Sequence, residues 1–329
     1  MGQGLHTKLT QIAATELEVP IDNVLITETA TDKVPNASAT AASASSDLYG
    51  AATLRACRKL QQRLAPFRKE VRAERPNATP LEAFRAAVSK AYMSCTNLSA
   101  QAFYYTPDLD FDWSQQETLP SGKTRSRGTG RVFNYYTNGA AVVEVELDVL
   151  TGDWRCVRAD LLMDLGRSLN PTIDIGQIEG AFAQGLGLFA LEQHVVGQND
   201  HWLPPGFMLT RGPGAYKLPS TNDVPVHTNV HLLRDSDNPR AVHGSKAVGE
   251  PPLFLGSAVY FALMDAVAAT QPETPAMLPH ESPEAEAPLG VSNMLGLPVV
   301  GRAPCSGDRL RLACHDEQQL AQHVLQGRQ

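Results

Sequence analysis

Cysteine is scarce and unpatterned in this chain. Cys57, Cys95, Cys156, Cys305 and Cys314 are widely spaced, odd in number and include no CxxC pair. That spacing indicates neither a disulfide framework nor a zinc site, and a reducing compartment is expected, the cytoplasm with the peroxisome left open. Blocks of like charge are also absent: the net charge of −7 is spread along the chain, which favours solubility and argues against a nucleic-acid partner. The one basic cluster, residues 123–131 (KTRSRGTGR), reads as a solvated loop. Long apolar runs are missing. The longest, residues 253–264, falls short of a bilayer span and is closed by Asp265, so it reads as a buried core helix and no membrane partner is expected. The start, MGQGLHTKLTQ, has no apolar signal core and has His6 where an N-myristoylation pattern needs Ser or Thr, so no targeting segment is expected. Sequons at Asn36, Asn77 and Asn97 carry no weight without secretion.

What is present is apolar material, 43% of 329 residues, enough for one large core or two modest ones. Leu5, Leu9, Ile12, Ala13 and Leu17 recur at helical spacing until Pro20, predicting an amphipathic helix. The β-branched run 24–29 (VLITET) predicts a strand. After the small-residue stretch 38–47 (SATAASASSD), a helix is expected from Asp47 to Ala65, closed by Pro66, and another over 80–94. Gln101–Tyr105 reads as a short strand and 114–131 as a polar loop. Residues 139–164 alternate apolar and polar around Leu150-Thr151-Gly152-Asp153, a β-hairpin pattern. Asp174 is expected to cap the next helix, whose Gly and Ala positions would admit another backbone. Beyond about Thr270 the composition turns to Pro, Glu and Ala, predicting a domain over 1–270 followed by a linker and tail over 271–329. No repeat is visible, and alternating helices and hairpins predict an α+β fold rather than a doubly wound sheet.

Several positions carry candidate chemistry, each with a plain structural reading beside it. Glu250 sits between Gly249 and two prolines, directly before the apolar run. Pro251 pushes its backbone out of the helical region, the helix start favours its carboxylate, and burial against Phe254 and Leu255 would disfavour ionisation; that opposition suits a general base, while an ordinary helix cap explains the same residue. GQG before a helix suits an anionic group, but it lacks the third glycine and preceding strand of a dinucleotide fingerprint, so a tight turn serves equally. Small residues 40–45 (TAASAS) would let a ligand approach the backbone or would simply start a helix. Gln177, read as first-turn, could bond a heterocycle or face solvent. His227 and His231 (HTNVH) fall on a predicted strand with no adjacent acid and read as structural, not as metal ligands.

Taken in order, MGQGLHTK, ETATDKVPNASATAASASSDLYG, VEVELDVLTGD, MDLGRSLNPTIDIGQIEGAFAQGLG, TRGPGAYKLP and SKAVGEPPLFLGSAV resemble the C-terminal part of the molybdenum hydroxylases of the xanthine dehydrogenase and aldehyde oxidase family. The resemblance covers roughly residues 1–270, and GDRLRLACHDEQ in the tail is also family-like. Longer stretches at 114–130 and from Gln271 depart from it; loop insertions leave a site intact.

The resemblance implies the second half of a molybdopterin-binding region, with a molybdenum–molybdopterin cofactor bearing a sulfido ligand. Gln3, Ser43, Ser45 and Gln177 would contact the pterin or its phosphate, Ala42 would lie against the metal centre, and Ala41 and Ala42 would border a purine substrate. Glu250 would be the general base that takes a proton from a hydroxide on molybdenum, with hydride passing to the sulfido ligand as hypoxanthine becomes xanthine and then urate. No residue is implied as a metal ligand. FAD and two iron–sulfur clusters are implied for the parent enzyme but not for this segment, with the rest of the parent chain and a homodimer as partners and NAD or oxygen as acceptor. TAAS at 40–43, Val248 and Phe254 look more like the purine than the aldehyde branch. The methionine matching Met1 is internal in the family, so a piece of a longer enzyme is expected. A truncated product acting only as a binding or dimerisation module, and a separate molybdenum subunit, are the alternatives.

Overall fold

The computed structural model describes residues 2–270 apart from 113, 127 and 198–203. Within them the fold is α+β, as the patterning predicts. The expected linker and tail over 271–329, with the family-like GDRLRLACHDEQ, lie outside the described residues. The chain divides into two compact units. One comprises Met1–Asn138, Asp164–Ile175 and Leu233–Glu250; the other comprises Gly139–Met163, Gly176–Leu232 and the stretch from Pro251 onward.

The first unit is built on α1 (Leu5–Leu17), α2 (Ser45–Glu74) and α3 (Pro80–Met93). Ile12 of α1 is buried against Gly50 of α2, where an added Cβ would sit 2.9 Å from Ile12 Cδ1. α3 opens on a full capping box, Thr79 and Glu82 each bonding the other's backbone. α2 departs from expectation by continuing through Pro66. The missing N–H and the ring clash cost about 3 kcal/mol, and the buried Leu64 and Val71 on either side, at about 1.5–3 kcal/mol each, hold the helix together. The predicted strand over 24–29 is absent: those residues join no strand among the described residues and are mostly exposed, since β-branched side chains make a strand only where a partner ladder exists.

The expected strand at Gln101–Tyr105 likewise pairs with no other strand among the described residues, though the segment is extended. From Thr96 to Thr106 every second residue is half-buried and the ones between are exposed, the period of an extended chain. The carbonyls of Asn97, Ser99, Gln101 and Phe103 accept hydrogen bonds at 3.1, 2.6, 2.8 and 3.1 Å from Arg63, Arg63, Lys59 and Arg55. Four residues of helix rise about 6.0 Å and two residues of strand about 6.6 Å, so cations spaced by four on α2 meet alternate carbonyls of the strap. Residues 114–131 also differ from a plain loop, for they contain an antiparallel pair, β1 (Gln116–Thr118) and β2 (Thr124–Ser126).

The second unit holds a three-stranded mixed sheet. β3 (Gly139–Leu147) and β4 (Trp154–Met163) form the predicted hairpin, and β5 (His227–Leu232) runs parallel to β4. A bulge opposite Glu144/Val145 resets the alternation of β4, so that Cys156 and Ala159, three apart, are both buried. The helix α4 (Pro171–Leu186) begins in the first unit and continues in the second. Its Gly185 faces Gly256 so closely that a Cβ on Gly185 would stand 2.0 Å from the Leu253 carbonyl oxygen, the close backbone approach its composition predicts. The helix after Glu250 begins later than its apolar run suggests: Pro251–Gly256 is a 3₁₀ turn and α5 (Ser257–Ala269) follows, packed on β3 with Val259 and Leu263 fully buried. By length and composition the stretch Pro251–Ala269 is apolar enough to cross a membrane, and about a third of it is buried inside the structure.

Candidate functional site

Of the expected site residues, Gln3, Ala41, Ala42, Ser43, Ser45 and Glu250 belong to the first unit and Gln177 to the second. Direct contact joins one pair of them: the backbone N–H of Glu250 donates to Ser43 Oγ at 2.8 Å across 207 residues of sequence. Ser43 and the preceding Ala42 adopt left-handed conformations, φ 52 and 55, which side chains larger than these would make costlier. Ser45 is buried, Gln3 and Gln177 are half-buried, and Ala41, Ala42 and Glu250 are exposed.

Two helix starts in this unit lack side-chain caps. α1 begins after Gly4 (φ 69) and α2 after Ala44, neither with a capping bond. Among the described residues the amides of residues 5–7 and of 45–47 have no partner, since the first intrahelical bonds are Lys8 N to the Gly4 carbonyl and Leu48 N to the Ala44 carbonyl. Such ends attract anions.

The segment carrying Glu250 is fastened along its length. Ser245 bridges Gly166, and its carbonyl accepts from Asn238 Nδ2 at 2.8 Å. The Lys246 amide donates to the Leu165 carbonyl at 2.8 Å and its Nζ reaches Asp164 Oδ2 at 2.5 Å. The Ala247 amide donates to the Tyr135 hydroxyl at 2.9 Å, which in turn donates to Asp47 Oδ2 at 2.5 Å. Burial raises the Asp47 carboxyl above its ordinary value, against the Tyr135 hydrogen bond and the Lys8 charge. Burial, then the neighbouring Asp47, pushes the Tyr135 hydroxyl well above the usual phenol range. At Asp164 burial alone would raise the carboxyl, but Lys246, Ser236 Oγ and the Gly166 amide together hold it below the usual range. These contacts fix where the Glu250 backbone stands relative to the small-residue turn 41–45.

Three expectations are corrected. Asp174 does not cap α4: Asn170 does, its Oδ1 accepting from Ile173 N at 3.1 Å ahead of Pro171, while Asp174 turns to Lys8 Nζ at 2.5 Å and Ser168 Oγ at 2.6 Å. Because α4 therefore starts at Pro171, Gln177 stands in its second turn rather than its first. The burial expected around Glu250 is not found: the residue is exposed and Phe254 is 72% exposed. Sequence reading missed Tyr135, Asp47, Asp164 and Lys246 as supports of this segment. A lone lysine amid small and apolar neighbours (AVHGSKAVG) was the available signal for a buried ion pair. Among the described residues no group of three or more His, Cys, Asp or Glu could hold a metal ion. Open cavities of about 470 Å³ beside Ile12 and His243, and of about 570 Å³ beside His194 and Tyr216, take none of the expected site residues as lining.

Residues 1–225 match the family model described as a molybdopterin cofactor-binding domain, a match that ends before Glu250. The chain is 46% identical over 318 residues to xanthine dehydrogenase 1 of Arabidopsis thaliana, covering 96% of this chain and 20% of that protein. It is 51% identical over 274 residues to the xanthine dehydrogenase of Oryza sativa subsp. japonica, covering 83% and 19%. Among solved structures, reconstituted CO dehydrogenase from Oligotropha carboxidovorans superposes with a TM-score of 0.65 at 21% identity, over 98% of this chain and 35% of that one; this likeness concerns the fold. The chain thus spans about a fifth of the length of the curated relatives it matches. With the family model covering most of its length and the fold in agreement, the chain belongs to the molybdopterin cofactor-binding domain family.

Proposed function

We propose that this chain forms part of the molybdenum site of a xanthine dehydrogenase-type hydroxylase, holding molybdopterin and supplying Glu250 as the general base for oxidation of a purine. The residues present fit the cofactor: two uncapped helix starts leave amides free for phosphate and pterin acceptors, and Ala41 and Ala42 leave the turn between them open. Bound there, the cofactor supplies a metal centre able to exchange an electron pair and an oxygen with the substrate. Gln3 and Ser45 are the proposed polar contacts in the first unit. Ser43 joins them, since its hydroxyl accepts from Glu250 and keeps its own proton to donate.

The bond between Glu250 N and Ser43 Oγ carries the reading. It places a carboxylate-bearing backbone beside the turn proposed to face the cofactor and substrate, and Pro251 restricts its conformation. Glu250 then accepts the proton of the attacking nucleophile, a role that contributes about 10²–10⁴-fold to rate. The exposure of Glu250 is relieved, on this reading, by the remainder of a longer chain of the relatives' kind. In a full-length chain carrying these residues, Glu250→Gln should keep its cofactor content and lose about 10²–10⁴-fold in kcat with xanthine. Near-normal turnover at full molybdenum occupancy ends the general-base assignment.

A further inference from the structure

The strap at 96–106 has a second edge. In an extended chain the N–H and C=O of alternate residues point to opposite sides. The side bearing the carbonyls of Asn97, Ser99, Gln101 and Phe103 is taken by Arg55, Lys59 and Arg63 of α2. The amides and carbonyls of Leu98, Ala100, Ala102 and Tyr104 make no hydrogen bond with any described residue. Residues 97–105 (NLSAQAFYY) contain no charge, proline or glycine, the devices that ordinarily keep an open edge from pairing. Outward from the strap stand Phe103, 55% exposed, and Tyr105, 79% exposed.

We propose that residues 97–105 are an acceptor edge for one extended strand contributed by the part of a longer dehydrogenase polypeptide that lies outside the matched segment. The backbone pattern selects a β-strand over a helix or loop, because four N–H and four C=O groups at a two-residue period match only another extended chain. The outward aromatics select a strand with apolar residues facing them. The source follows from length: in the relatives described above the matched segment is about a fifth of the chain, so this fold stands there beside four-fifths of further polypeptide. The inference needs no cofactor and stands apart from the assignment of Glu250.

The test is hydrogen–deuterium exchange of the purified 329-residue chain, alone and co-purified with the complementary portion of Arabidopsis thaliana xanthine dehydrogenase 1. In the complex, the amides of Leu98, Ala100, Ala102 and Tyr104 should exchange at least about tenfold more slowly than in the free chain. Ala102→Pro, which removes an outward donor, should abolish co-purification or that protection, while Ala102→Val retains both. Melting of each free variant separates loss of the edge from loss of the fold. A complex in which these amides exchange as in the free chain overturns the proposal, as does failure to form a complex with the unaltered edge. Concentration-dependent protection in the chain alone would instead show pairing between two copies, and overturns it also.

Discussion

Replacing Lys8 by methionine keeps the length and apolar stem of the side chain and deletes its charge. In the folded chain Lys8 Nζ lies 2.5 Å from Asp174 Oδ1, with side-chain exposures of 6% and 5%. The variant leaves a buried carboxylate with Ser168 Oγ, at 2.6 Å, as its remaining side-chain partner. Removing one member of a buried pair costs about 3–5 kcal/mol, because the survivor stays desolvated without its counter-charge. At about 2–4 °C per kcal/mol for a unit of this size, the melting temperature should fall by about 6–20 °C. The double variant Lys8→Met with Asp174→Leu removes the stranded charge and should recover most of the loss, since burying two apolar groups in place of an ion pair is near neutral or better. Urea unfolding of the 329-residue chain followed by circular dichroism measures both. A loss below about 1 kcal/mol in the single variant, or a double variant no more stable than the single, would refute the claim that this pair clamps α1 to the start of α4.

Two further outcomes follow from the packing and charge. Gly185→Ala should destabilise the second unit by about 1–3 kcal/mol or more, as the added methyl meets the Leu253 carbonyl rather than a yielding side chain; an unchanged unfolding midpoint would show that the 251–256 turn can move aside. Asp164, held below its ordinary value in the folded chain, contributes stability that is present above the unfolded carboxylate value of about 3.9 and is lost as pH falls from there through its lower folded value. Asp164→Asn should therefore flatten the loss of stability below about pH 4 while lowering stability at neutral pH, where Lys246 is left unpaired. An identical acid slope in the variant removes Asp164 from that account.

Much of the architecture was legible in sequence because its signals are local. The spacing of Leu5, Leu9, Ile12 and Leu17 and the Leu150–Asp153 turn each act within a few residues, and both elements stand where they point. The GEPP and TAAS segments were likewise visible as candidates, and the Glu250–Ser43 bond shows that they meet.

What sequence could not settle depended on partners distant in the chain. Asp174 and Asn170 are both good caps by type; only the approach of Lys8, 166 residues away, decides that Asp174 is an ion-pair partner and Asn170 the cap. Pro66 breaks helices in isolation and is carried here by the burial of Leu64 and Val71. VLITET is richer in β-branched residues than the strap, yet it is the strap that finds cations at matching spacing, on α2. The chain by itself thus determined most of its local elements, its α+β class and the candidate site residues. Tertiary structure decided which polar groups are paired and which backbone edges stay open, because hydrogen bonding and desolvation are settled by neighbours in space rather than in sequence.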